Sequence, residues 1–373
     1  MLFINNEDVE KVLTVGDTLQ ALERGHKEIG RGELVSRPRV DIYTETRSER
    51  NFHRWGTMEG ASKGLQRFAI RMKSDVVSWP EIDGRRVEEK YCLRPGLFCG
   101  LIFLFDTGSG EPLALINDGY LQHIRVGASA GLAVKYLARK NASAVGMLGS
   151  GGMARSHLMA FAAVRKIERA KVYSPSREHR EVYAREMEEK LGFEVIPCNS
   201  PEEAVKGADI LSTCTNSVRP TVSGGMLAPG MHVTSVASEY ADDVYPKIDV
   251  CIGGGPRSRV AQGIPIDSSE GFTTYLAGSA EVLKEARGSK RPREERKNFK
   301  ARVVALVDLL EERAPGRLAD DEISASGSLS VGRTEGYQGL QFVTVSSLVY
   351  DQVKKVGLGR EVPIEWFLQN IRD

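Results

Sequence analysis

Gly149, Gly151 and Ala154 stand in the spacing G-x-G-x-x-A inside Ala144-Val-Gly-Met-Leu-Gly149-Ser-Gly-Gly-Met-Ala154. The apolar run Ala144–Leu148 suits a buried strand, and Met153–Arg165 carries helical spacing. At such a strand-to-helix turn the first glycine makes the tight bend. The second leaves the backbone open to a pyrophosphate, and the alanine lets the helix pack closely on the strand. The helix start adds free N–H groups and the positive end of its dipole. Gly149, Ser150, Gly151, Gly152, Met153 and Ala154 are therefore expected to cradle the phosphates of a nicotinamide dinucleotide. A glycine-rich turn without a ligand is the plainer alternative, and the strand–helix units that follow weigh against it.

The end of the next strand decides which dinucleotide fits. An acid there accepts from the ribose 2′-hydroxyl of NAD. Here Lys171-Val-Tyr173 runs into Ser174-Pro-Ser176-Arg177, with no acid. Hydroxyls and a guanidinium suit a 2′-phosphate through charge-assisted bonds. NADP(H) is thus the expected cofactor and NAD(H) the second choice. Ser174 or Ser176 could also simply cap the next helix.

A second polar group lies earlier. Phe68–Val77 reads as a strand, which points Arg71, Lys73 and Asp75 to one face, among Ile70, Met72 and Val76. Such a row is odd for a fully buried strand; a solvated sheet face is the alternative. The chain has no H-E-x-x-H, G-x-S-x-G or P-loop, which leaves hydrolase and kinase chemistry without support. His53, His123, His157 and His232 are isolated, and no metal site is expected.

These residues need elements to hold them. Val15–Ile29 has apolar residues on helical spacing, and strands are expected at Arg39–Thr44, Phe68–Val77, Leu97–Phe105 and Pro112–Ile116. The last two form a hairpin across Asp106–Gly110, and Tyr120–Arg139 is a helix. Strands and helices then alternate through Ala144–Leu148, Met153–Arg165, Lys171–Tyr173 and Arg177–Leu191. Further strands are expected at Glu194–Pro197, Ile210–Cys214, Val233–Val236 and Val250–Ile252, and helices at Lys297–Arg313 and Leu340–Val356. Alternation of this kind implies right-handed crossovers and a parallel sheet. The expected fold class is α/β: a Rossmann-type doubly wound domain over residues 139–316, beside an α+β domain from residues 1–138 and 317–373.

Composition agrees. A chain of 373 residues fits two domains at roughly 100–200 residues each. Lys and Arg number 51 against 50 Asp and Glu, so no net field draws nucleic acid or an anionic membrane. The basic run Arg287–Arg302 reads as a solvated linker and helix start. Five cysteines without a CxxC pair read as reduced thiols. No run approaches the ~18 apolar residues of a membrane span, and the acidic N-terminus lacks signal-peptide features. A cytoplasmic protein without nucleic-acid or membrane partners is expected.

Four blocks, taken in order, resemble the ornithine cyclodeaminase/mu-crystallin family. They are Asp118-Gly-Tyr-Leu-Gln-His-Ile-Arg125, Val145–Ala154, Thr213-Cys-Thr215-Asn216-Ser217 with Pro220, and Leu227–Val233. The resemblance implies that the α+β part is a substrate-binding and dimerisation domain, and that homodimers form through its sheets. It implies hydride exchange between a nicotinamide and the α-carbon of a small amino or imino acid. Arg125 and Arg39 match family arginines, and with Arg71 they are the expected carboxylate holders. Lys73 matches a family lysine and Glu239 a cyclodeaminase aspartate; both are expected to handle protons. Thr213, Thr215, Asn216 and Val236 join the expected cofactor contacts. Glu239 departs from the cyclodeaminase pattern by one methylene, which favours an imine reductase or amino-acid dehydrogenase. A cyclodeaminase that recycles bound NAD, and a non-catalytic NADPH-dependent binder of a small ligand, are the alternatives.

Overall fold

The computed structural model describes residues 1–82, 84–217, 219–237, 239–253, 273–277, 279–287, 300–327, 329 and 337–371. The longest strands come first: β1 (Val40–Glu45), β2 (Phe52–Ser62), β3 (Arg67–Ser78), β4 (Cys99–Asp106) and β5 (Pro112–Asn117). They pair antiparallel in the order β1-β2-β3-β4-β5. β3 alternates strictly, with Ala69, Arg71, Lys73, Asp75 and Val77 buried on one face and their neighbours half-buried on the other. β2 is the long strand that the sequence reading lacks. Its buried face holds Arg54, Gly56 and Gly60 beside Phe52 and Met58, so no apolar alternation marks it. Helices α1 (Val15–Gly30) and α2 (Gly119–Leu137) cover the lower part of the buried face and share its apolar core.

The second sheet is parallel throughout. Its early elements are β6 (Ala144–Leu148), α3 (Gly152–Val164), β7 (Arg169–Tyr173), α4 (Arg177–Leu191), β8 (Glu194–Pro197), β9 (Ile210–Thr213), β10 (His232–Ser235) and β11 (Val250–Ile252). All lie within two residues of the expected bounds. The next strand, β12 (Thr273–Ala277), leaves this sheet and pairs parallel with β1 at the edge of the first one. Behind it α5 (Ala280–Arg287) buries Leu283 against Tyr43, Phe52 and Val77. β13 (Arg302–Val304) and β14 (Ser324–Gly327) then return to the second sheet, whose order is β8-β7-β6-β9-β10-β14-β11-β13. The strand order reverses between β6 and β9, the position at which dinucleotides bind open α/β sheets.

Two segments thus sit differently from the division expected at 139–316: β12 joins the other sheet, and β14 lies inside the parallel one. The helix expected over Lys297–Arg313 is a strand and a single turn, Leu306–Leu310. The β-branched pair Val303-Val304 fits a pleated edge, and Val304 pairs with Ile252. Residues 297–299 and most of the basic run Arg287–Arg302 lie outside the described residues. Among the described residues, no helix is long and apolar enough to cross a membrane.

The last helix, α6 (Gln338–Val356), crosses the buried face of the first sheet. Gly339 and Gly60 allow its close approach. A Cβ on Gly60 would lie 2.5 Å from the Gly339 carbonyl oxygen, and one on Gly339 would run into the carbonyl of Glu59. Gly339→Ala is expected to destabilise the fold by about 1–3 kcal/mol, the usual cost of overpacking. A lower urea midpoint at constant slope is the readout, and an unchanged midpoint would refute this account of the crossing.

Candidate active site

Lys73 stands in the middle of β3, opposite Gly56 on β2 and Gly100 on β4. Side chains from elsewhere fill the room those glycines leave: Asp41 and Lys73 over Gly56, Asp118 over Gly100. Lys73 Nζ donates to Asp75 Oδ2 at 2.9 Å, which also accepts from Arg54 at 3.1 Å. Arg54 donates to both oxygens of Glu88 at 2.9 Å, and Arg39 donates to Asp41 at 2.8 Å. Burial, then the guanidiniums of Arg39 and Arg54, push the Lys73 ammonium down to about 7 against the pull of Asp75. Burial alone would raise the Asp75 carboxyl, but Lys73 and Arg54 outweigh it and hold it low.

One step along the same face, Arg71 donates to Asp118 at 2.6 Å. Asp118 immediately precedes α2, and Arg125 lies in that helix's second turn. Arg125 is only 6% exposed. It donates to the amide oxygens of Gln341 at 2.6 Å and Gln122 at 2.7 Å, and lies 4.7 Å over the ring of Phe342. Among the described residues no carboxylate pairs with it. Burial, then Arg71, push its pKa down to about 9, so it is still a cation at neutral pH. Arg39 and Arg71, by contrast, already hold ion pairs.

The facing wall is the glycine-rich turn. Gly149 has φ +111°, and a side chain there would strike the carbonyl of Cys214. Its N–H donates to the Tyr173 carbonyl at 2.8 Å. Gly151 caps α3 with extended backbone and open space beside it, so the first N–H groups of the helix have no side-chain cap. Behind them Ala154 is fully buried, and the ring of His123 on α2 lies against Gly152. The turn fits a pyrophosphate on these grounds.

At the end of β7, Ser150 Oγ donates to Ser174 Oγ at 3.0 Å. Ser176 caps α4, accepting from His179 N at 3.2 Å. Arg177 projects into solvent, its side chain 81% exposed, and pairs with Glu181 one turn on. The guanidinium at the strand end is instead that of Arg180. It donates to the Ser174 carbonyl at 3.0 Å and to Asn199 Oδ1 at 3.1 Å, 5.9 Å from the Tyr173 ring centre. The sequence reading missed Arg180, although it lies one helical turn beyond the cap at Ser176, a spacing that returns its side chain to the cap's side.

Glu239 is fully buried. Its carboxylate accepts from Thr213 Oγ1 at 2.7 Å, Thr215 N at 2.6 Å and Ala237 N at 3.2 Å, which ties the turn after β9 to the turn after β10. None of these bonds is to the Lys73 group. Asn216 and Val236 are exposed on the two turns. A cleft of about 390 Å³ runs between α2, α3 and the ends of β10 and β14, lined by Arg125, Gln122, Met153, Val236 and Gly327 among others.

Delta(1)-pyrroline-2-carboxylate reductase of Bacillus cereus is 27% identical over 309 residues, 82% of this chain and 83% of that protein. Ornithine cyclodeaminase of Agrobacterium fabrum is 28% identical over 229 residues, 57% of this chain and 63% of that protein. The structure of Thermococcus litoralis Delta(1)-pyrroline-2-carboxylate reductase, in complex with NADH and L-proline, superposes with a TM-score of 0.73 at 25% identity. It covers 97% of this chain and 100% of its own. The model of the ornithine cyclodeaminase/mu-crystallin family matches residues 92–251. That span opens ahead of β4 and closes in β11, taking in the helix of Arg125 and the dinucleotide turn, and over it the chain is similar to the ornithine cyclodeaminase/mu-crystallin family.

Proposed function

We propose that this protein is an NAD(P)(H)-dependent oxidoreductase acting on the C=N or CH–NH bond of a small α-imino or α-amino acid. Arg125 carries the reading: a buried guanidinium that pairs with no carboxylate among the described residues, in a cleft that reaches the dinucleotide turn, calls for one. A planar fork of N–H donors matches that group bidentately. When bound, the dinucleotide supplies or takes up the hydride at the substrate's α-carbon. Arg125 holds the α-carboxylate, while Arg39 and Arg71 add positive potential from within their ion pairs. Lys73, titrating near neutrality, gives a proton to the imine nitrogen and takes it back in the reverse direction. Glu239 is a positioning residue for the turns that carry Thr213, Thr215, Asn216 and Val236. Similarity to pyrroline-2-carboxylate reductases supports reduction.

We assign NADP(H) in preference to NAD(H), with Arg180, Ser174 and Ser150 rather than Arg177 reading the 2′-phosphate. The guanidinium and hydroxyls at the end of β7 support this. A homodimer is assigned from the outer face of the first sheet. There Phe68, Ile70, Met72, Leu101, Phe103 and Phe105 stand half-exposed on adjacent strands, and a second copy of the same face would cover them.

A screen of Delta(1)-pyrroline-2-carboxylate, and of 2-oxo acids with ammonia or methylamine, should show NADPH consumption. Release of ammonia from L-ornithine without net cofactor change would overturn the reading in favour of cyclodeamination. Arg125→Ala should mainly raise KM, and Lys73→Ala should lower kcat by about 10²–10⁴-fold. Because the ammonium is the acid, reduction should fade as pH rises through about 7, and oxidation should gain over the same window. Glu239→Gln should weaken cofactor binding and leave that profile in place. Wild-type kcat and an unshifted profile in Lys73→Ala would remove Lys73 from the chemistry.

In titrations NADPH should bind more tightly than NADH. Arg180→Ala should lose about 1.5–3 kcal/mol of NADPH affinity, the range for hydrogen bonds to charged groups, and Arg177→Ala almost none. Equal wild-type affinities for the two cofactors would refute the assignment. Light scattering at micromolar concentration should give twice the chain mass, falling to one in Phe103→Asp; a monomeric wild type rules the dimer out.

A further inference from the structure

The cleft that holds Arg125 continues away from it. Past Val126, Ala130 and Ala133 on α2, it ends against His26 on α1 and the start of α6, Tyr337 and Gln338. His26 is 3% exposed, and its ring stands edge-on to Tyr337 at 5.0 Å. Among the described residues its Nδ1 has no hydrogen-bond partner, and neither has the buried Oε1 of Gln338. Burial holds the imidazole down to about 4, so it is neutral at physiological pH. A buried polar atom left unpaired is unfavourable, and native proteins rarely keep two in one place without a use for them.

We propose that this end of the cleft selects the substrate's side chain, and that His26 and Gln338 recognise a neutral hydrogen-bonding group there, a hydroxyl or a primary carboxamide. The inference rests on the proposed function in one respect: Arg125 fixes the α-carboxylate at the near end. From that anchor the side chain of an α-imino acid extends along apolar walls towards His26. Gln338 Oε1 can only accept, so the ligand must donate to it. A neutral imidazole nitrogen can then accept from, or donate to, the same group. A terminal carboxylate would face an acceptor oxygen with no cation beside it, and an ammonium would be desolvated with no anion. An all-carbon side chain would leave both orphans unpaired, and sites built to hydrogen-bond a substrate discriminate strongly against the analogue that lacks the group.

Near-isosteric amino acids test this as products. L-homoserine against L-norvaline, and L-asparagine against L-leucine, are titrated calorimetrically into wild type, His26→Phe and Gln338→Leu, each saturated with NADP+. In wild type the polar member of at least one pair should bind at least tenfold more tightly. Both substitutions should erase that preference while leaving NADP+ affinity within twofold. Equal affinity in wild type, binding of neither member of either pair, or a preference that survives both substitutions would overturn the proposal. So would a loss of NADP+ affinity with the preference intact, which would assign the two orphans to the cofactor's own carboxamide. NADPH consumption with the imine screen is read separately. Its absence beside a polar preference would sink the oxidoreductase reading and leave the recognition standing, and turnover without a preference would do the reverse.

Discussion

A buried guanidinium that pairs with no carboxylate among the described residues is the constraint around which the rest is arranged. Leaving an ion uncompensated in the interior costs several kcal/mol even after relaxation. Arg125 is tolerated because neutral dipoles and a ring face surround it: two glutamine amide oxygens and Phe342. Those partners come from α2 and from α6, elements more than two hundred residues apart in the chain. The tight crossing of α6 over β2, made by Gly60 and Gly339, brings Gln341 and Phe342 to their places. The long sheet supplies Arg71, paired with Asp118 at the start of α2, from the other side. A charge held in this way is preorganised for an anion, since its donors are already desolvated before anything binds.

Lys73 obeys a related logic by a different route. It has a counter-ion in Asp75, but that carboxylate is shared with Arg54, while Arg39 adds repulsion. Burial and two cations against one shared anion leave the ammonium close to its own titration point, where proton donors and acceptors work most effectively. Glycines on both flanking strands make this possible, because they give the long side chains room above a sheet that would otherwise be tiled with methyl groups.

Much of this was legible from residues alone, and the failures share causes. The parallel sheet was readable because each of its strands is short, apolar and followed by a turn signal, as at Ala144–Leu148 before Gly149. The row Arg71, Lys73, Asp75 was readable from period-2 alternation. β2 was not, since its buried face is built from Arg54 and two glycines, whose burial is decided by partners distant in sequence. Arg177 follows the strand end directly in sequence, whereas a capped helix turns it outward and brings Arg180 back. Glu239 aligned by register, yet backbone N–H groups and a threonine claim its oxygens locally. The orphans at His26 and Gln338 depend on how α1, α2 and α6 meet, and no local pattern encodes that.

The way the first sheet ends bears on edge-to-edge association. Its central strands are 11 and 12 residues long, but its outermost ones are Thr273–Ala277 and the two-residue Arg360–Glu361. Long, flat outer strands are templates for edge-to-edge growth, and very short ones are a recognised defence. With β12 laid along β1, the sheet tapers at both sides and offers few free backbone groups to another chain. Its apolar outer face is a separate surface, and in the dimer proposed above two copies meeting face to face would cover it. An isologous contact of that kind would close at two instead of running on into a fibre.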